Sequence, residues 1–212
     1  MISIGIDPSI NSTGICIRTS DTYKYYIICS KMSGKMKSFI HNRISIIDYG
    51  KKPFTGLEYS DKEYVKSENI YKIIGVIGDI LDQHIQGNYL ESNNLHTGVS
   101  DESDKGSDES DKGSDEIIVN MEGISYGSAG SAALADLAGL NFAIRMLLIE
   151  KGIKFKIVSP MSLKVFATNN AGASKEEMSW AWKLLDKEMG DIDKIKIDDL
   201  ADAYFLCRYN SD

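Results

Sequence analysis

Residues 2–19, "ISIGIDPSINSTGICIRT", decide the fold. Isoleucine alternates with small or polar residues through "ISIGID", the period of two that marks a half-buried strand. Pro8, Ser9, Asn11 and Ser12 then supply turn chemistry, and "TGICIRT" resumes the alternation as an antiparallel partner. "YKYYIICSKM" (23–32) predicts a third strand. In the first strand Ile2, Ile4 and Ile6 share one face while Ser3, Gly5 and Asp7 share the other. Asp7 thus closes a strand, at the kind of position where loops give substrates access.

Working outward, Val65, Ile70, Ile73, Ile74, Ile77 and Leu81 recur near helical spacing and predict a helix from about Asp61 to Gln86. "EIIVNMEG" (116–123) predicts a short apolar strand ending on Glu122, which shares a face with Asn120. "GSAGSAALADLAGLNFAIRMLLIEKG" (127–152) predicts a long helix, rich in small residues at its start and followed by Gly152. "KFKIVSP" is a further strand, after which Ser159 and Pro160 read as the N-cap and first position of a short helix. Ser174 and Glu177 have capping-box spacing before a helix whose Trp180 and Trp182 read as packing residues. "IDDLADAYFL" (197–206) is the last helix. The order predicts an α/β fold: a mixed sheet with an antiparallel three-strand meander plus parallel strands, flanked by helices. At 212 residues the chain is expected to form a single domain.

The net charge is −7, but residues 100–116 repeat the unit SDESDKG and carry eight acidic residues against Lys105 and Lys112. Without them the charge is −1. The repeat has no apolar position, so its period of seven is no coiled-coil heptad, and a disordered acidic insert is expected at about 87–115. Its charge density suits a flexible arm that repels DNA or contacts a basic partner. No apolar run approaches the roughly 18 residues of a membrane span and no signal sequence opens the chain, which predicts an intracellular protein with no membrane association. Cys16, Cys29 and Cys207 are odd in number and widely spaced, and are read as small core hydrophobes. Lysine outnumbers arginine twenty to four, a bias expected of an AT-rich genome such as that of a virus or phage.

The carboxylates carry the chemistry. Asp199 and Asp202 are three apart and so lie on one face of the last helix. If that helix crosses the ends of the strands bearing Asp7 and Glu122, four carboxylates converge and require a cation. Hard Mg²⁺ suits an all-oxygen set, and two such ions would clamp an in-line phosphodiester displacement. Asp198 has a simpler reading as the N-cap of its helix. Lys31, Lys35 and Lys37 form a basic loop that suits phosphate contact or merely solvent.

"IGIDPSINSTGICI", "IVNMEG", "SPMSLKVFATNNAGASKEEM" and "DDLADAYFL" together resemble, in order and spacing, the RuvC-type Holliday junction resolvases of the ribonuclease H-like superfamily. The resemblance covers most of the chain outside residues 32–60 and the acidic insert. It implies a ribonuclease H-like fold and a homodimer that cuts opposed strands of four-way DNA junctions. The reaction would use Mg²⁺, or Mn²⁺ in its place, and leave 5′-phosphates and 3′-hydroxyls. On this resemblance Asp7, Glu122, Asp199 and Asp202 are the metal ligands, and Lys164 and Lys175 the basic residues near the scissile phosphate. Tyr126 is the candidate aromatic wedge, and the long helix near Ser128 is the dimer helix. The competing readings are a flap or branched-DNA nuclease of the same fold and a DNA-binding scaffold without catalysis. An ATPase of the actin type is disfavoured, because no second copy of the opening motif exists.

Overall fold

A computed structural model describes residues 1–20, 22–94, 116–124, 131–189 and 198–209. The opening stretch forms β1 (Ile2–Asp7) and β2 (Ser12–Thr19), which pair antiparallel, and β3 (Thr22–Cys29) completes the meander. β4 (Ile44–Asp48) then pairs parallel with β3, β5 (Ile117–Glu122) parallel with β1, and β6 (Phe155–Val158) parallel with β5. The result is one six-stranded mixed sheet in the order β4-β3-β2-β1-β5-β6. Because β1, β3, β4, β5 and β6 run the same way, their carboxyl ends all reach one edge, hereafter the carboxyl edge.

β4 corrects the expected count of strands, and a one-turn helix α1 (Gly34–Lys37) precedes it. Five residues flanked by His41, Asn42 and Arg43 carry too short an alternation to register as a strand. The parallel ladder with β3 supplies what local sequence does not.

Helices cover both faces. Ile2, Ile4, Ile6, Val119 and Met121 pack beneath α2 (Tyr59–Asn94) and α3 (Ser131–Glu150), which contribute Ile73, Ile77, Leu81, Leu140, Ile144 and Leu148. On the other face Cys16, Tyr25 and Ile27 pack against α4 (Pro160–Thr168), α5 (Lys175–Leu185) and α6 (Asp198–Arg208). The Ser159 cap with Pro160 and the Ser174–Glu177 capping box are formed as the sequence predicts. All three cysteines are buried and unbridged.

Three further expectations need correction. α2 runs on to Asn94, through residues assigned to the insert, because an established helix propagates at one backbone bond per added residue. Residues 95–115 lie outside the described residues, as does Tyr126. α3 is long and apolar enough, by length and composition, to cross a membrane, against the expectation of no such run. Its inner face is nevertheless packed on the sheet through Leu140, Ile144 and Leu148. Trp182 is fully buried, but Trp180 is 65% exposed. Two residues apart on a helix means about 200° of rotation, so both could not face the core.

α2 descends from the carboxyl edge. Asn69 brackets the backbone of Lys52, accepting from its N–H at 2.8 Å and donating to its carbonyl at 3.0 Å, and the Lys72 ammonium reaches the Gly50 carbonyl at 2.6 Å. Near the opposite edge Lys151, just past α3, pairs with Asp82 at 2.6 Å. From Asp82 to Asn94 the helix adds about 18 Å. Glu116, where the chain re-enters the sheet, accepts from the Ile2 N–H, also at that opposite edge.

Candidate active site

Asp7 and Glu122 end neighbouring parallel strands, and the register Ile6↔Met121 sets them side by side. Strand alternation turns both toward α6, because Ile6 and Met121 face α2 and α3. α6 must therefore approach closely, and two glycines permit it. A Cβ on Gly5 would collide with the backbone of Ala203 and Cys207, and one on Gly14 with the carbonyl of Asp199.

The sheet also fastens the C-terminal end of α6, whose last carbonyls lack helical partners. Asn120 donates to the Leu206 and Tyr209 carbonyls at 2.9 and 2.8 Å, and the Ser3 hydroxyl donates to the Cys207 carbonyl. Ser3, Gly5, Gly14 and Asn120 thus fix where Asp199 and Asp202 come to rest. Sequence reading placed Ser3, Gly5 and Asn120 on the correct face without assigning them this task. A second tie holds Glu122: Asn141 of α3 donates to its main-chain carbonyl at 3.0 Å.

The electrostatics show that the four acids sense one another. Burial raises the Asp7 carboxyl well above its usual range, and Glu122, Asp202 and Asp199 raise it further. A hydrogen bond links the Asp7 and Glu122 carboxyls, and both are held above their usual range, so the pair favours keeping a proton between them. Glu122 is still raised overall, by burial, with Lys175 and Lys164 opposing. Asp199 is raised by burial and moderated by a hydrogen bond from Ser12. Asp202 is pushed up to about 7, first by burial and then by Glu122. Asp198 opens α6 as its first helical residue, rather than as a cap outside it, and among the four acids its charge raises Asp199.

Lys164 of α4 and Lys175 of α5 both act on Glu122 and Asp202, which places them beside the acids. Lys31 follows β3 on the same carboxyl edge, while Lys35 and Lys37 lie in helix α1, which corrects the expected loop; all three are exposed, and none is among the main charges acting on the four acids. The donor set is all carboxylate oxygen and fits a hard divalent cation. Among the described residues no group of three or more His, Cys, Asp or Glu side chains is arranged, as it stands, to hold a metal ion.

No protein-family model and no curated protein sequence matches the chain. Solved structures do. The chain is similar to Thermus thermophilus RuvC, with 15% identity over 98% of this chain and 91% of that one, at a TM-score of 0.50. It is also similar to T. thermophilus RuvC in complex with a Holliday junction substrate, with 14% identity over 98% and 90% of the two chains, at a TM-score of 0.53. The likeness establishes the RuvC-like, ribonuclease H-like fold.

Proposed function

We propose that the chain is a structure-selective endonuclease that resolves four-way DNA junctions by metal-dependent phosphodiester hydrolysis, leaving 5′-phosphate and 3′-hydroxyl ends. The observation that carries this reading is the buried, mutually interacting set Asp7, Glu122, Asp199 and Asp202 at the carboxyl edge of a RuvC-like sheet, with lysines beside it. Those four carboxylates would hold two Mg²⁺ ions, with Mn²⁺ able to substitute. Such ions, when bound, supply Lewis-acid polarisation of the phosphodiester and an activated water.

The chain's own residues do the rest. Asp7 and Glu122 would have to lose the proton held between them to serve as ligands, since ligating carboxylates must be deprotonated. Lys164 and Lys175 draw a phosphate oxygen toward the acids and offset their charge. Lys31, Lys35 and Lys37 extend the DNA path along the same edge.

The outer face of α3 supports a homodimer, which would bring two sites to two opposed strands. Ala132, Ala135, Phe142, Met146 and Ile149 are all exposed and recur three, four or seven apart, the spacing by which helices pack side by side. The test is cleavage of an end-labelled four-way junction, a flap and a linear duplex, in Mg²⁺ or EDTA, by the wild type and Asp202→Asn. Symmetric junction cuts that need metal and vanish in the variant are expected. Junction binding without cutting would make the chain a scaffold, and preferential flap cleavage would change the substrate.

A further inference from the structure

A cavity of about 330 Å³ opens on the carboxyl edge, on the α2 and α3 side of the sheet. It lies across the Pro8–Asn11 turn from the carboxylates, no further from Asp7 than an extended four-residue turn, roughly 14 Å. Its walls are Ile10 of that turn, Phe54 of the loop before α2, Ile70 of α2 and Leu137 of α3. Polar groups sit at the lip. The Lys51 ammonium donates to the Asn11 side-chain carbonyl at 3.0 Å and has no carboxylate partner among the described residues. It also stands 5.7 Å from the centre of the Phe54 ring, with the Lys62 ammonium 5.8 Å from the same ring. Lys66, by contrast, is neutralised by Asp136 and Glu63, each at 2.9 Å.

We propose that this cavity is a subsite for one unstacked nucleotide of the DNA strand, its base against Phe54, Ile10, Ile70 and Leu137 and its phosphate on Lys51. The volume lies at the small end of ligand cavities, which suits one nucleotide and excludes two stacked ones. An apolar wall with an aromatic ring receives any base face, and a cation at the mouth without a carboxylate partner among the described residues matches the backbone charge. A branch point supplies such a nucleotide cheaply, because its bases are already poorly stacked. The inference rests on the proposed action on branched DNA, and adds that the enzyme holds a displaced base beside the cut.

The test measures binding of the full chain, in EDTA, to four-way junctions carrying single abasic sites stepped through the exchange point. One or two positions should weaken binding roughly tenfold, the scale of losing one base–aromatic contact. That loss should disappear in Ile70→Phe, which fills the cavity, and in Phe54→Ala, which removes the partly buried ring. Preference for junction over duplex with a flat abasic scan, or a positional loss that persists in both variants, overturns the subsite and leaves the proposed function standing. Failure to prefer a junction overturns the proposed function instead. The cavity is then judged with deoxyadenosine 5′-monophosphate, which should shift the Ile10 methyl resonances in the wild type and not in Ile70→Phe; unshifted wild-type resonances overturn the subsite as well.

Discussion

Asp7 and Asp186 are equally hidden, each 7% exposed, and their surroundings are opposite. Asp186 is held by Arg43, whose guanidinium donates to both of its oxygens, and by the Tyr25 hydroxyl at 2.7 Å. Arg43 also donates to Glu188 and to the Tyr23 carbonyl, and the Trp182 indole N–H donates to the Tyr25 hydroxyl. Asp7 has three other carboxylates for neighbours and a shared proton. A buried carboxylate in the first setting is structural and pins α5 to β3. In the second the ionised form is disfavoured by burial and by like charges, and a cation or a bound proton would relieve it.

The largest test of this contrast is loss of a site acid. Asp7→Asn or Asp202→Asn should lower junction cleavage by roughly 10³ or more while leaving junction affinity within a few-fold. Next comes Gly14→Ala, whose methyl would displace the Asp199 backbone. A shift of that kind should cost on the order of 100-fold in cleavage, with junction binding retained. Arg43→Ala should strip the partner from Asp186 and lower stability by about 3–5 kcal/mol in urea unfolding. Adding Asp186→Asn should recover part of that loss; strict additivity would mean that the two do not act as a pair.

A smaller effect concerns pH. Asp202 is pushed up to about 7 in the fold, against about 3.9 for an ordinary Asp. The fold thus favours its neutral form, so its contribution to stability is intact below the unfolded value and is lost as pH rises through about 7. In chelator the melting temperature should fall by several degrees between about pH 5 and pH 8, less so in Asp202→Asn, and divalent cation should reverse it. A flat wild-type profile would mean that the acids are not in conflict. Least of all, replacing Lys31, Lys35 and Lys37 with alanine should weaken junction binding a few-fold at low salt and flatten its salt dependence.

The two regions also differed in how far the sequence revealed them. Asp7, Glu122, Asp199 and Asp202 lie at strand ends and on one helix face, positions that periods of two and 3.6 locate without tertiary information. The Arg43–Asp186 pair joins residues 143 apart, and no local pattern announces it. β4 escaped for a related reason: its five residues become a strand by pairing with β3. Gly14 looked like part of an alternation, and its purpose appears only once α6 lies across it.

The acidic repeat is attached between Asn94 and Glu116, at the edge of the sheet away from the carboxylates, and α2 carries its first attachment further still. The chain therefore leaves and re-enters the described fold away from the ends of β1 and β5 that carry Asp7 and Glu122. A reporter sequence inserted between Asn94 and Glu116 would be tethered at the edge opposite Asp7 and Glu122.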